Sequence, residues 1–507
     1  MKDSTQRKLG AILSYVSIFA STLVQLLYTP FLIKMLGQSE YGLYSLIASV
    51  IGYLTVLDLG FGNAIVVYTA KYRAQGKVEE EKKLHGMFKI IFYVIGVIAF
   101  LLGILLYFNV NTLFGANMTS TEIEKAKVMM LILSFNLLMT FAFNIYQSII
   151  TANEKFTFQK IMAILNTILK PVIMIPLLFL GFKSIAMTVV ITVVNCLILF
   201  SNYFYCRFKL NTKVKFLGFD KDLFKVIFAY SFWIFLSAIV DKINWSVDQT
   251  LLGMMVGTVA VSIYSVASTL NTLFINLSTA ISSVMLPKMS KMVANKATDD
   301  ELTGEFIKVG RIQYLLVFLM ASGLVLFGKE FIIWWVGKEF IDSYYIALFL
   351  ILPLVVPLIQ NLGISIVQAK NKFKFRAIAL FIMALLNILI SIVCIKLFGV
   401  IGAAVGTALG ILLVNGLLMN IYYHKVIHLN MIKFWKNIIK MTIPYIIPIG
   451  LVLVIMYFTN ITGFLSLIIY GGIYVLLYLI VSYLIVMNDY EKSFVNIILR
   501  KLHIKKV

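Results

Sequence analysis

The stretch VDKINWSVDQ (Val240–Gln249) holds Asp241, Lys242 and Asp248, the only charges from Val226 to Leu286. Two acids and a base so placed could form ion pairs, carry a proton or a sodium ion, or hold the charged part of a substrate. On a helix turning about 100° per residue, Asp248 falls nearly above Asp241, with Trp245 about 40° to one side. Asn244 flanks the same stripe. Lys242 stands about 100° from Asp241, so these neighbours cannot face each other well. Lys170 poses the same problem in LNTILKPVIMIP, just before Pro171.

The elements that must position these groups follow from composition. The chain has 507 residues, 61% hydrophobic and 13% charged, against about 45–50% apolar and about 25% charged in soluble domains. So little polar material points to the bilayer as solvent. A spanning helix needs about 20 mainly apolar residues. Fourteen segments qualify: 9–33, 41–70, 87–109, 126–152, 158–180, 183–206, 224–254, 258–287, 309–328, 341–369, 375–396, 399–423, 434–458 and 462–487. No strand-like alternation competes with them. The expectation is an all-α polytopic membrane protein with about 14 transmembrane helices. The N-terminus starts basic and turns apolar like a signal peptide, but the run reaches Ile33 without a small-residue cleavage site, so it reads as a retained first helix. The three cysteines are far apart and suggest neither a disulfide framework nor a zinc site. A charge at mid-bilayer costs at least about 2.5 kcal/mol. Lys170, Asp241, Lys242, Asn244 and Asp248 are therefore expected to line a substrate-translocation cavity; the alternative is ion pairing that holds helices together.

Charge distribution sets the topology. Of the 44 Lys and Arg residues, 35 fall in or beside the termini and even-numbered loops, seven in the other loops, and two, Lys170 and Lys242, within spans. This bias predicts that both termini are cytoplasmic. It also accounts for the net charge of +22 through orientation and contact with anionic lipid, and no nucleic-acid partner is expected.

An internal repeat is visible. LGQSEYGLYSL (Leu36–Leu46) aligns with VGTVAVSIYSV (Val256–Val266), and SIITANEKFTFQ (Ser148–Gln159) with SIVQAKNKFKFR (Ser365–Arg376), at offsets of 220 and 217. Similar offsets in corresponding loops suggest two parallel six-helix bundles, 1–206 and 224–423, joined by a cytoplasmic linker, 207–223. Residues 424–507 add helices 13 and 14 and a basic tail. Two such bundles would face a cavity and rock about it. Pro171 and Pro176, and Pro353 and Pro357, read equally as hinges or static kinks. Gly402, Gly406 and Gly410 read as a close-packing stripe. Asn136, Asn144, Gln147, Gln360, Asn361 and Asn387 read mainly as helix-to-helix hydrogen bonds. His424 and His428 lie by a basic loop with no acid nearby, and no metal site is expected. No P-loop, GxSxG or HExxH motif occurs, so neither catalytic residues nor an enzyme are expected.

The stretches LYTPFLIKMLGQSEYGLYSL, VLDLGFGNAIVVYTAKY and ANEKF resemble the polysaccharide-exporter family of bacterial oligosaccharide flippases. This family includes O-antigen flippases and sits among the multidrug/oligosaccharidyl-lipid/polysaccharide exporters. The resemblance implies a MATE-like fold and transfer of an undecaprenyl-pyrophosphate-linked oligosaccharide repeat unit from the inner to the outer leaflet of the cytoplasmic membrane. The sugar would feed O-antigen or capsule, by alternating access. It also implies that Asp58, Gly60, Gly62 and Asn63 form the family signature on helix 2. Partners would be that lipid-linked oligosaccharide, membrane lipids and a polysaccharide polymerase, with the protein itself a monomer. No cofactor is implied beyond a coupling proton or sodium ion, for which Asp241 and Asp248 are candidates. The alternatives are a MATE-type drug or cation antiporter and a peptidoglycan-precursor lipid flippase.

Overall fold

A computed structural model describes residues 3–501 apart from 213, 215, 217, 283–285, 371 and 460–462, with the backbone alone at some further positions, Asp241 among them. Most of the described residues are helical, and none of them lies in a strand. Thirteen helical stretches are long and apolar enough to cross a membrane, and the chain is a polytopic all-α membrane protein. The chain contacts divide into two compact units, Met1–Ser265 with Asn387–Ala403, and Val266–Leu386 with Ala404–Val507.

The first unit contains α1 (Asp3–Leu36), α2 (Gln38–Tyr53), α3 (Phe61–Ala74), α4 (Val78–Phe114), α5 (Ser120–Ala152), α6 (Phe156–Phe179), α7 (Ser184–Phe204) and α8 (Lys221–Met255). Next, α9 (Thr258–Ser282) passes into the second unit, which holds α10 (Leu286–Ala294), α11 (Asp299–Val336), α12 (Ile341–Ile359) and α13 (Asn361–Ala369). Helices α14 (Phe373–Phe398) and α15 (Val400–Ile411) belong partly to each unit. The chain ends with α16 (Met419–Lys425), α17 (Met431–Thr442), α18 (Ile446–Thr459), α19 (Phe464–Val481) and α20 (Asp489–Lys501). The seventh expected segment is α8, a continuous helix that is not among the thirteen; several of its side chains lie outside the described residues.

Two segments that read as single spans are broken. Segment 41–70 is α2, a 3-10 turn over Leu54–Asp58, and α3. The break turns on Leu59 (φ 52°) and Gly60 (φ 73°), both left-handed, a conformation that costs a residue with a Cβ about 1–2 kcal/mol. Segment 341–369 parts at Gln360 between α12 and α13. Pro353 and Pro357 supply no N–H to the helix ladder, so its last turns are weakly held.

Within the first unit, α4 and α5 pack with almost no separation. A Cβ on Gly103 would lie 1.9 Å from Ser134 Oγ, and one on Gly96 would lie 3.0 Å from the Leu138 carbonyl. Small residues permit such contact where lipid supplies no hydrophobic drive between helices. Gly402 in α15 is similarly confined, its missing Cβ 2.0 Å from the Cys394 carbonyl. Asp220 caps α8 by accepting the Leu223 N–H at 3.0 Å, and this bond holds its carboxyl below the usual carboxylate range, with Lys83 assisting.

In the second unit, α17 is strongly two-faced. Met431, Phe434, Ile438 and Met441 are buried, while Lys433, Lys436 and Lys440 occupy the polar side, the pattern of a helix lying in the membrane interface. The C-terminal α20 is fixed by a buried ion pair. Arg311 Nε donates to Glu491 Oε1 at 2.6 Å, and Nη2 donates to Oε2 at 2.9 Å. The same Nη2 also reaches the Val486 carbonyl at 3.0 Å. Lys308 lies 3.6 Å from the centroid of the Tyr490 ring. Removing one member of a buried pair strands the other charge, at about 3–5 kcal/mol. Arg311→Ala should therefore lower the unfolding free energy of the purified protein by about that amount, while the double change Arg311→Met with Glu491→Leu should recover most of it. Denaturant titration measures both, and equal stability of Arg311→Ala and wild type would refute this role.

Candidate functional site

The break between α2 and α3 is organised around Asp58. Asn144 Nδ2, from α5, donates to Asp58 Oδ1 at 2.7 Å, and the backbone N–H groups of Gly62 and Gly60 lie near this carboxylate. A helix that stops inside a membrane exposes N–H groups with no partner. Here an acceptor from the turn itself lies near them. Gly62 is needed for space as well: a Cβ there would sit between Ser148 Oγ (3.7 Å), Asn144 Nδ2 (3.8 Å) and Asp58 Oδ2 (3.8 Å). Gly60 supplies the left-handed turn. Asn63 is exposed. The signature read from the sequence is thus a helix break with its own acceptor.

Lys242, half-buried on α8, reaches toward this break. Its Nζ would be 3.6 Å from a Cβ on Gly52, in the last turn of α2. A cation there meets the negative end of the α2 dipole. Lys170 is half-buried on α6. Helix α6 packs on α1, α7 and α5, whereas α8 packs on α2, α3 and α4, so the two lysines stand on different sets of helices. Neither ammonium has a carboxylate or hydrogen-bond acceptor among the described residues. Asn244 is half-buried and Trp245 is 40% exposed. The side chain of Asp241 lies outside the described residues.

Asp248 occupies a different environment, only 2% exposed. Tyr264 Oη donates to its Oδ2 at 2.6 Å, and Ser391 Oγ donates to Oδ1 at 3.1 Å. Ser391 Oγ also lies 3.2 Å from Asn387 Oδ1. Three helices, α8, α9 and α14, meet on this carboxylate. Among the described residues no group of three or more His, Cys, Asp or Glu side chains could hold a metal ion.

Two further acids, for which the sequence suggested no role, gather the ends of the first unit that lie away from the N-terminus of α1. Glu40 on α2 pairs with Lys125 on α5 and accepts from the Ser184 hydroxyl on α7. Glu122 on α5 accepts from Ser39 at 2.6 Å and from Thr258, at the start of α9, at 2.7 Å. Asn117 Nδ2 donates to the Met254 carbonyl at 2.6 Å. A Cβ on Gly42 would lie 1.8 Å from the Thr258 carbonyl, so α2 and α9 touch backbone to backbone. These contacts join the two repeated motifs found in the sequence, around Gly37 and Gly257.

The asparagines are mostly interhelical. Asn195 donates to Asn136 at 2.7 Å, Asn136 to Thr192 at 3.2 Å, and Gln360 to Asn420 at 3.0 Å. His424 contacts the Leu429 carbonyl.

Broken and proline-bearing spans with ionic groups buried on them are features of a transporter-type helical membrane protein. The chain belongs to the family described as polysaccharide biosynthesis protein, whose model matches residues 9–293. Its fold is similar to that of the lipid II flippase MurJ in an inward closed conformation, with a TM-score of 0.73 and 22% identity over 98% of this chain and 99% of that one. It is similar also to an inward-facing multidrug resistance MATE family transporter of the MOP superfamily, with a TM-score of 0.63 and 13% identity over 82% and 96% of the chains. A third likeness is to the MATE multidrug transporter DinF-BH, with a TM-score of 0.60 and 16% identity over 83% and 95%. No curated protein matches the chain in sequence.

Asp58 and Asn144 should couple energetically because each satisfies the other in a half-buried site. A double-mutant cycle with Asp58→Leu and Asn144→Leu should give an interaction energy of about 1–3 kcal/mol, with Asp58→Leu the costlier single change because two backbone N–H groups lose the nearby carboxylate as well. Additive thermal destabilisation in the cycle would show that the bond does not hold the break.

Proposed function

We propose that this protein is a flippase that moves an undecaprenyl-pyrophosphate-linked oligosaccharide repeat unit from the inner to the outer leaflet of the bacterial cytoplasmic membrane. The product would feed a surface polysaccharide, O-antigen or capsule, and both termini would lie in the cytoplasm. The observation that carries this reading is the pair of membrane-embedded ammonium groups, Lys170 and Lys242, without an acid partner among the described residues. An uncompensated cation in a span costs several kcal/mol unless water or a ligand meets it. A pyrophosphate is such a ligand. A drug or cation antiporter would call for acids at these positions. Membership of the polysaccharide biosynthesis family supports a sugar-bearing substrate. In this reading the lipid tail stays in the hydrocarbon while head group and sugar pass through by alternating access. The contacts of Glu40 and Glu122 would close the outer side and separate when it opens. A coupling proton or sodium ion would act at Asp248, with Asp241 a second candidate.

The second reading is a peptidoglycan-precursor flippase, favoured by the likeness to the lipid II flippase over nearly the whole of both chains. Gene deletion separates the two. A surface-polymer flippase leaves cells viable, without surface polysaccharide and with lipid-linked repeat units accumulating on the cytoplasmic side. Unchanged surface polymer in the deletion strain would sink the first reading; loss of viability would favour the second.

The lysines supply a sharper test. Lys170→Ala and Lys242→Ala should each lower export at limiting substrate about tenfold or more, the loss expected when a charge-assisted hydrogen bond disappears, while the protein still inserts and purifies normally. Wild-type export by the double variant would leave both lysines with a structural part only. Asp248→Asn, which keeps the side-chain shape, should abolish the response of export to collapse of whichever ion gradient drives it. A retained response would remove Asp248 from coupling.

A further inference from the structure

A second basic feature borders the Glu40–Lys125 contact, at the end of the first unit away from the N-terminus of α1. An open cavity of about 580 Å³ lies between the first turns of α5 and the α6–α7 turn. That is within the size of ligand sites, about 300–1,000 Å³. Its walls are apolar, formed by Leu177, Phe182, Val189 and Val190, and its ionic lining is Glu40, Lys125 and Lys183. Glu40 is already neutralised by Lys125 and bonded by Ser184. Lys183 is left over: it is exposed, and no acid or acceptor meets its ammonium among the described residues. The lining therefore carries one net positive charge at the mouth of an apolar groove.

The surroundings show what kind of molecule fits. Phe179, Leu180 and Phe182 are 69%, 74% and 53% exposed around the mouth, as expected for side chains at the lipid boundary. Under the proposed topology this side carries only seven of the 44 Lys and Arg residues, so Lys183 is not needed to orient the chain. Basic pockets between membrane helices recognise anionic lipid head groups.

We propose that this groove binds one anionic phospholipid, with its phosphate on Lys183 and an acyl chain along Leu177, Val189 and Val190. A zwitterionic lipid has the chain but not the net charge, and a free anion has the charge but not the chain.

Native mass spectrometry of the detergent-purified full chain tests this, with phosphatidylglycerol titrated against phosphatidylcholine of the same acyl chains. Wild type should favour phosphatidylglycerol at its tightest site by about fivefold, the contribution of one basic residue near an anionic head group. Lys183→Gln, at an exposed position, should remove that preference while phosphatidylcholine binding persists. Ala186→Phe, which fills the cavity, should remove the tightest binding of both lipids. Lys209→Gln, at the other end of α7, should change neither. Equal retention of the two lipids by wild type, or a wild-type preference in Lys183→Gln, would overturn the proposal. Displacement of the lipid by millimolar inorganic phosphate would overturn it too, since it would mean that the head group alone is held. If Ala186→Phe does not yield folded protein, Lys183→Gln decides the matter alone.

Discussion

Hydrocarbon offers no partner to a peptide group, and each one left unbonded there costs several kcal/mol. The most consequential feature of this structure answers that constraint. Where the second span breaks, the carboxylate of Asp58 takes the amide of Asn144 and lies near the backbone N–H groups at Gly60 and Gly62. Here α2 ends at Tyr53 and α3 starts at Phe61. The end of α2 gives Lys242 a negative dipole end to approach at Gly52. The break thus leaves the end of α2 beside Lys242.

The same rule governs the charges. Glu40, Glu122, Asp248, Arg311 and Glu491 are each met by donors or counter-charges from segments far away in sequence. These arrangements offset desolvation and in doing so tie helices together, which is why the bonds at Glu40 and Glu122 gather four helices at one end of the first unit. Lys170 and Lys242, half-buried on α6 and α8, have no such partner among the described residues. A scaffold role alone gives little reason to keep two ammonium groups half-buried on apolar helices, since a hydrophobic residue of similar volume would be cheaper. That contrast, more than the presence of the lysines, favours an anionic substrate over a scaffold role.

Much of the fold was legible in the sequence because the bilayer imposes a simple pattern. Long apolar runs showed the polytopic helical class, and family and fold agree with the motifs around Gly37 and LDLGFGNA. The break in the second span was missed because its composition stays apolar through Leu57 and Leu59; the signal available was an acid followed by two glycines, the chemistry of a helix stop. Segment 341–369 read as one span with hinges or kinks at its prolines, and its division at Gln360 did not follow from them. The bonds of Asp248 to Tyr264 and Ser391, and of Arg311 to Glu491, join residues up to 180 positions apart, a separation that no local pattern encodes. Glu40 and Glu122 sat in short connections counted only for their lysines. The hydroxyls of Ser39, Ser184 and Thr258 that complete them look ordinary in one dimension.

Asp248 shows how such a network could respond to a cation. The Ser391 hydroxyl has one hydrogen and two acceptors within reach, Asp248 Oδ1 at 3.1 Å and Asn387 Oδ1 at 3.2 Å. While Asp248 is charged, the carboxylate is the stronger acceptor and takes that hydrogen. Neutralise Asp248, by a proton on the carboxylate or a sodium ion beside it, and the preference reverses. The hydrogen then turns to Asn387, and the Ser391 oxygen presents lone pairs to the site. Tyr264, whose Oη donates to the other carboxylate oxygen at 2.6 Å, would have to turn in the same way to serve a sodium ion, because a metal needs oxygen lone pairs where the charged carboxylate accepts hydrogens. A proton makes no such demand on Tyr264. The two candidate coupling ions therefore ask different things of one hydroxyl: sodium requires the α9 phenol to give up its bond to α8, whereas a proton needs only the serine on α14 to change its acceptor.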